Sequence, residues 1–245
     1  MGPKALNGSG KHMCRLTLSN EQITIYDDLL PREAFDALFP HALTVGFDRV
    51  HREEWQKEWR LGDGTPMQGP PAFFRADTLY EEHEVPRYPT GAPIDAFFEA
   101  VRELVAKGAG FGGTSGTALT RMTIAPAVYG RGCGLSLHRD RFGFTGTYTY
   151  FIHPEWNFHW GGQLLVLDPR TPDGYAAAGG DHYSFFLSDE QQNRAVAEPG
   201  IALCILPKPN RFVFIAPDTQ HMVTRVDANA GDRPRTTLVG YLTTA

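Results

Sequence analysis

The sequence predicts a mainly β fold with flanking helices, in the α+β class. From about residue 117 onward, short β-prone runs follow one another, separated by Gly, Pro and Asp and without helices between them. That pattern is typical of an antiparallel sandwich or barrel. Before that point, apolar residues recur at helical spacing instead. Because the helices come first and the strands later, the order favours a β-barrel buttressed on one face by helices over an alternating α/β fold.

Two helices are predicted in the amino-terminal half. The segment 31–39 opens with proline and carries Phe35 and Leu38 at helical spacing. The segment 93–107 places its apolar side chains on one stripe, and Gly108 stands where a C-terminal cap is expected. Both helices therefore have an apolar face to bury against the barrel.

Nine β-strands are predicted in the second half, and the connections are expected to be loops. The region between the two helices is rich in turn residues and charges, so we expect loops there with one short helix over 53–59. Residues 169–201 have the character of an insertion, and such loops commonly cover the mouth of a barrel. The predicted strands are 118–128, 135–138, 147–152, 162–167, 182–187, 201–206, 211–215, 222–226 and 236–242.

Length and composition fit one domain. The chain has 245 residues, of which 42% are hydrophobic and 12% aromatic, enough for one large core. Residues 1–12 are small, polar and aperiodic and precede a second methionine, so we expect an expression tag there. The rest, 13–245, is expected to form a single domain, with helical support over about 13–116 and the β core over about 117–245.

Charge, apolar runs and cysteine spacing limit the partners and the cellular setting that fit this sequence. The formal net charge is −5 and no basic stripe is visible, which argues against nucleic acid and anionic membranes. No apolar run approaches the ~20 residues that a membrane span needs. Cys14, Cys133 and Cys204 are widely spaced without a C-x-x-C pair, so we expect a reducing, cytoplasmic setting. The sequence leaves the oligomeric state open.

His138, Asp140 and His221 are the candidate metal ligands. On an extended strand, residues two apart point to the same side, so the side chains of His138 and Asp140 converge. His221 follows a distant apolar strand and a turn, and a folded barrel can bring it to the same pair. Two imidazoles and one carboxylate on one face of a metal suit non-haem Fe(II) and its oxygen chemistry. Zinc is more often held tetrahedrally.

Arg235 and Thr237 are the candidate receptor for a carboxylate. Strand alternation puts both on one face of the last predicted strand, together with Tyr241. If a dicarboxylate such as 2-oxoglutarate binds the metal, its far carboxylate needs a cation. An arginine fork with a hydroxyl two residues on is a sound receptor for it. Arg233 is two residues before Arg235, so on an extended strand it would lie on the same face, and it remains the alternative cation for the carboxylate.

Four motifs occur in order in the second half of the chain. They are Tyr129-x-x-Gly132-x-x-Leu135-x-x-His138-x-Asp140, then Trp160-Gly161-Gly162-Gln163-Leu164, then Pro207-x-x-Asn210-Arg211 leading to His221, and Arg235-x-Thr237-Leu238-x-Gly240-Tyr241. Together they resemble the Fe(II)/2-oxoglutarate-dependent oxygenases, in particular the prolyl-4-hydroxylase-like branch. The resemblance implies a double-stranded β-helix, a jelly-roll or cupin-like barrel buttressed by N-terminal helices.

The resemblance also implies roles for the matched residues. The cofactors would be Fe(II), with 2-oxoglutarate and O2 as cosubstrates. Tyr129 matches a position where the family often has a tyrosine near the cosubstrate, and Tyr150 is a second candidate, with Tyr148 as its alternative on the same strand. The implied Fe(II) ligands are His138, Asp140 and His221. The implied contacts of the distal carboxylate are Arg235 and Thr237.

The expected activity is hydroxylation of an unactivated C–H bond of a small molecule, a free or modified amino acid, with release of succinate and CO2. Arg121, Arg139 and Arg141 are candidates for binding the carboxylate of such a substrate. A peptidyl, prolyl-type hydroxylase is the alternative. Two further hypotheses are a cupin-like metal hydrolase or isomerase without 2-oxoglutarate, and a non-catalytic binding module. Arg235 and Thr237 argue against the former, because they would then have no ligand.

Overall fold

The computed structural model describes residues 14–49, 63–75, 86–108, 118–140, 143–169 and 200–245. The expected tag, the predicted helix over 53–59, the predicted strand over 182–187 and Arg141 lie outside the described residues. Within the described ranges, no helix has both the length and the apolar character needed to cross a membrane.

Two helices lie where the sequence predicts them. Helix α1 spans Arg32–Leu43 and helix α2 spans Ile94–Ala106. Apolar residues three and four positions apart fall on one side of a helix, so α2 has a continuous apolar stripe. The buried side chains of this stripe are Ile94, Phe97, Phe98, Val101, Leu104 and Val105.

The described chain forms thirteen β-strands. In chain order they are β1 (Arg15–Ser19), β2 (Ile23–Asp27), β3 (Asp48–Arg49), β4 (Met67–Gln68), β5 (Ala72–Arg75), β6 (Leu119–Tyr129), β7 (Leu135–His138), β8 (Gly146–Phe151), β9 (Leu164–Leu167), β10 (Ala202–Ile205), β11 (Phe212–Ile215), β12 (His221–Val223) and β13 (Arg235–Thr244).

The strands form two sheets, and all of the pairings within them are antiparallel. The major sheet has the order β1-β2-β11-β8-β13-β6-β4-β3, with β5 also paired to β6. The minor sheet has the order β10-β9-β12-β7. Strands distant in sequence are neighbours in both sheets, as in a jelly roll. The antiparallel barrel that the strand pattern predicts is therefore present.

The centre of the major sheet, formed by β2, β11 and β8, is buried on both faces. Its outer face packs on the helices, where Tyr150 and Phe212 belong to the same apolar cluster as Phe97 of α2. Its inner face packs toward the minor sheet, where Tyr129 and Phe151 share a second cluster with strands β9 to β12. A polar side chain on this inner face is therefore withdrawn from water and needs a partner or a ligand.

The amino-terminal half contributes five strands that the sequence analysis did not predict. The hairpin of β1 and β2 extends the major sheet, because β2 pairs with β11, opposite Val213 and Ile215. Every residue of β2 is buried, Thr24 and Asp27 included, and the strand is only five residues long, so its sequence is a weak signal for a strand. Its partner β11 is also far along the chain, and local periodicity does not report such a pairing.

Candidate active site

The structure brings the three predicted metal ligands together where β7 ends and β12 begins. His138 and His221 are directly opposite in the register of these two strands. Their rings lie 4.2 Å apart, and Oδ2 of Asp140 is 3.7 Å from Nε2 of His221. One ligand atom from each of the three residues lies within 4.8 Å of the others. Two imidazoles and one carboxylate at this spacing form one face of a metal coordination sphere.

Backbone carbonyls set the orientation of both imidazoles. Nδ1 of His138 lies 2.7 Å from the carbonyl oxygen of Ser136, and Nδ1 of His221 lies 2.8 Å from that of Thr219. A carbonyl only accepts a hydrogen bond, so each Nδ1 carries the proton and donates it. The lone pair of each ring is therefore on Nε2, the tautomer that binds a metal.

Burial keeps His221 in the neutral form. The pKa of His221 is lowered to about 4, because desolvation and the nearby His138 outweigh the Asp140 carboxylate and the Thr219 carbonyl, which raise it. A neutral imidazole is the form with a free lone pair, so this ligand is ready at neutral pH.

Arg235 is a buried cation on the inner face of the barrel. It begins β13 directly opposite Tyr129 of β6, and only 2% of its surface is exposed. The guanidinium lies over the rings of Phe151 at 4.9 Å and Tyr129 at 5.5 Å. Burial lowers the pKa of Arg235 to about 10, partly offset by Tyr129, so the side chain stays charged at neutral pH.

Two polar atoms at this site are buried and have no hydrogen-bond partner among the described residues. They are Nη2 of Arg235 and Oγ1 of Thr237, which alternation places on the same inner face. Leaving buried donors unpaired costs free energy, most of all for a charged group. A bound carboxylate would satisfy both atoms, so the residues present fit the far end of a dicarboxylate.

Arg233, the alternative cation, occupies a different environment. Its side chain is mostly exposed, forms an ion pair with Glu155 at 3.0 Å and lies over the ring of Trp160 at 5.0 Å. Both contacts are on the surface. Arg233 therefore does not share the buried inner face on which Arg235 and Thr237 lie.

The Trp160-Gly161-Gly162 motif lies against the side chain of Arg235. Nε of Arg235 donates to the carbonyl oxygen of Gly162 at 2.9 Å. Gly162 has φ +68°, and a Cβ there would lie 2.8 Å from Cδ of Arg235 and 3.4 Å from the ring of Trp156. Glycine is therefore required both by the backbone conformation and by the closeness of the arginine stem.

The candidate tyrosines separate into two groups. Tyr129 lies on the inner face beside Arg235, and burial raises its pKa, so the phenol is neutral. Tyr150 lies on the outer face of β8, where its hydroxyl donates to Oδ1 of Asn210 at 2.6 Å and its ring stacks on Phe97 at 4.7 Å. Tyr148 faces the helices as well and donates to the Thr123 carbonyl. The structure thus corrects the prediction that Tyr150, or Tyr148 in its place, lies near the cosubstrate, because both side chains pack on the helices instead.

The candidate substrate arginines also differ in position. Arg121 is exposed and lies on β6, an even number of residues before Tyr129, so both side chains are on the inner face of the major sheet. Along the strand, Arg121 is roughly 25 Å from Tyr129. Arg139 follows His138 in the chain and is buried, with 5% of its surface exposed. The roles of both arginines in substrate binding remain predictions.

Two polar groups near the site were not predicted from the sequence. The hydroxyl of Ser136 donates to Oδ1 of Asp63 at 2.6 Å, and the Ser136 carbonyl is the acceptor that orients His138. His153 lies two residues after the end of β8 and is buried. These partners are distant in the sequence, so no local motif marks them.

The fold and the site together define a class of protein. An antiparallel barrel that holds two histidines and one carboxylate on one face of a metal site, with a buried cation on its inner wall, is typical of a non-haem metal oxygenase.

Comparisons with known proteins agree with this class. The sequence model of the 2OG-Fe(II) oxygenase superfamily matches residues 124–243. The chain belongs to this superfamily, so it is an oxidoreductase whose cofactors are Fe(II), 2-oxoglutarate and O2. A search of curated proteins found no match to the chain.

Solved structures share the fold. A prolyl-4-hydroxylase from Pseudomonas putida matches with a TM-score of 0.53 and 17% identity, over 91% of this chain and 92% of that chain. A prolyl hydroxylase from Trichoplax adhaerens, solved with a peptide fragment of a hypoxia inducible factor oxygen degradation domain, matches with a TM-score of 0.56 and 15% identity, over 91% and 83%. A 2OG-Fe(II) oxygenase family oxidoreductase from Burkholderia pseudomallei matches with a TM-score of 0.50 and 13% identity, over 91% and 85%. The predicted double-stranded β-helix is therefore confirmed.

Proposed function

We propose that the chain is an Fe(II)- and 2-oxoglutarate-dependent hydroxylase of a small carboxylate-bearing molecule, such as a free or modified amino acid. The observation that carries the cosubstrate assignment is the pair of unpartnered buried atoms, Nη2 of Arg235 and Oγ1 of Thr237. A metal hydrolase or isomerase of the same fold binds no 2-oxoglutarate, so the buried guanidinium of Arg235 would have no carboxylate ligand there.

The residues divide the work between metal and cosubstrate. His138, Asp140 and His221 would hold Fe(II), and Arg235 with Thr237 would hold the distal carboxylate of 2-oxoglutarate. When bound, Fe(II) supplies the oxidising chemistry, in which 2-oxoglutarate, O2 and a C–H bond become succinate, CO2 and a C–OH group. Arg235 neutralises the far carboxylate, and the apolar inner wall excludes water from it.

The preference for a small carboxylate is supported at the other end of the inner face. Tyr241 has the parity of Arg235 on β13, and its ring stacks on Phe144 at 4.6 Å. Arg121 is a diagonal neighbour of Tyr241, because it pairs in register with Thr243. An aromatic pair next to an exposed cation suits a compact substrate with an apolar side chain and a carboxylate.

The cofactor assignment is tested by titrating the metal-free protein with Fe(II) and 2-oxoglutarate under argon. We expect a weak visible charge-transfer band from the chelate, and its loss in His138→Ala. The Arg235→Gln variant should keep Fe(II) binding and need much more 2-oxoglutarate to develop the band. Fe(II) binding without any band in the wild-type protein would contradict the proposal and favour a hydrolase or isomerase.

The substrate class needs a separate test. A panel of free amino acids and N-modified amino acids, and a set of proline-containing peptides, would be compared by substrate-dependent succinate release and by the mass of the hydroxylated product. We expect turnover within the amino-acid panel, reduced by Arg121→Gln. Turnover confined to peptides would instead identify a peptidyl hydroxylase.

A further inference from the structure

His153 lies beside the buried cation, although no motif points to it. In the register of β8 and β13, Phe151 is opposite Thr237. The backbone pairing continues past the end of β8, because the amide of Ile152 donates to the carbonyl of Thr236 at 3.0 Å. Two residues beyond Phe151, His153 therefore comes opposite Arg235 on the same face. Arg235 is flanked by Tyr129 on one strand and His153 on the other.

His153 is close to side chains that also border Arg235. Its ring lies 5.7 Å from the ring of Phe151, which the guanidinium also covers, and 4.8 Å from the ring of Trp156, which borders Gly162. Only 1% of the residue is exposed. An imidazole in such a place contributes to the shape and polarity of the pocket rather than to the surface.

The hydrogen bonding of His153 defines its tautomer. Nε2 lies 3.1 Å from the carbonyl oxygen of Pro207, which only accepts, so Nε2 carries a proton. Nδ1 is buried and has no hydrogen-bond partner. The pKa of His153 is lowered to about 4, because burial and the charge of Arg235 outweigh the Pro207 and Thr236 carbonyls, which raise it. The ring is therefore neutral, and Nδ1 presents an unsatisfied lone pair.

The pocket thus contains a complementary set of unpaired atoms. Nη2 of Arg235 has protons without an acceptor, and Nδ1 of His153 has a lone pair without a donor. The carboxylate of a cosubstrate carries no proton, so it satisfies Arg235 and Thr237 and leaves Nδ1 unpaired. The two atoms do not bond each other in the structure. One water between the two side chains would donate to Nδ1 and accept from the guanidinium.

We propose that His153 is a positioning residue for the cosubstrate, whose Nδ1 accepts a hydrogen bond from Arg235 through one bridging water and so aims the guanidinium at the distal carboxylate of 2-oxoglutarate. This inference rests on the proposed function, because it requires that 2-oxoglutarate binds at Arg235. It predicts that His153 acts on cosubstrate affinity and leaves the metal ligands on the minor sheet unaffected.

The test measures two dissociation constants by calorimetry, with Mn(II) as a redox-inert metal. The first is that of Mn(II) for the metal-free protein, and the second is that of 2-oxoglutarate for the Mn(II)-loaded protein. His153→Leu should weaken 2-oxoglutarate binding about tenfold and leave the Mn(II) constant unchanged. His153→Asn keeps a side-chain acceptor and should recover part of the loss. Tyr150→Phe is the matched control on the outer face, with the wild-type constants.

The outcomes separate this inference from the function on which it rests. A wild-type protein that binds Mn(II) and fails to bind 2-oxoglutarate would overturn the proposed function and this inference with it. If the wild-type protein binds 2-oxoglutarate and folded His153→Leu binds it equally well, the inference alone is overturned. An equal loss of Mn(II) and 2-oxoglutarate binding in His153→Leu would also overturn it, because that result indicates general damage to the barrel.

Discussion

Nε of Arg235 donates a hydrogen bond to the carbonyl oxygen of Gly162 at 2.9 Å. This bond uses the side of the guanidinium that faces the Trp160-Gly161-Gly162 turn, so Nη2 is the atom left without a partner. The turn between the 3₁₀ segment Phe158–Trp160 and β9 therefore fixes the direction of the cation. The glycines of this motif form a turn, and the same turn orients the candidate carboxylate receptor.

The first prediction concerns Gly162→Ala. An added Cβ would lie 2.8 Å from Cδ of Arg235, and φ +68° disfavours a residue with a side chain. We expect a loss of about 1 to 2 kcal/mol in the free energy of unfolding. We also expect 2-oxoglutarate binding to the Mn(II)-loaded protein to weaken about tenfold, because the arginine stem must move. Gly46→Ala is the control, since a Cβ there meets nothing within 4 Å. Equal effects of the two substitutions would contradict the role given to Gly162.

The second prediction concerns Thr237→Val, which replaces a buried hydroxyl by a methyl group of similar size. Oγ1 of Thr237 has no protein partner, so its removal should leave the free energy of unfolding unchanged or raise it by up to about 1 kcal/mol. The same change should weaken 2-oxoglutarate binding about fivefold, because one hydrogen bond to the carboxylate is lost. Chemical denaturation and calorimetry measure the two effects. A protein that is less stable and binds 2-oxoglutarate normally would show that the hydroxyl serves the fold.

The third prediction concerns Tyr150→Phe. This substitution removes a buried hydrogen bond to Asn210, so we expect the free energy of unfolding to fall by about 1 to 2 kcal/mol. Because Tyr150 is on the outer face of β8, 2-oxoglutarate affinity should not change. A specific loss of 2-oxoglutarate binding in this variant would restore Tyr150 as a residue that contacts the cosubstrate.

Tyr150 also shows where prediction from sequence stops. Residues two apart on β8 share a face, and the sequence shows this correctly. It does not show which face is inside, because every residue of β8 is buried and neither face of this strand is polar enough to mark solvent. The metal ligands were easier to predict, since His138 and Asp140 are close in the chain and His221 follows a motif of the family. His153 and β2 depend on partners far along the chain, and only the folded register reveals them.

The last prediction concerns Asp27, which joins the amino-terminal hairpin to the segment before β11. The carboxylate is buried and lies 2.7 Å from Nε of Arg211 and 3.2 Å from Nζ of Lys208, with Arg15 also at 3.2 Å. Burial alone would raise the pKa of Asp27, but the hydrogen bonds and charges of Arg211 and Lys208 outweigh it and lower the pKa to about 2. The folded protein therefore favours the charged carboxylate more than the unfolded chain does.

The sign of the pH dependence follows from this shift. A carboxyl group with a lowered pKa contributes stability above its unfolded pKa, near 4, and loses it as the pH falls toward 2. Asp27→Asn should lower the free energy of unfolding by about 2 to 3 kcal/mol at pH 7. The difference from the wild-type protein should shrink between pH 4 and pH 2, as measured by urea denaturation. Asp28→Asn is the control, because Asp28 is half-exposed and 3.7 Å from Lys208, and should change stability by less than about 1 kcal/mol. A pH-independent effect of Asp27→Asn would show that packing, and not charge, is what the carboxylate contributes.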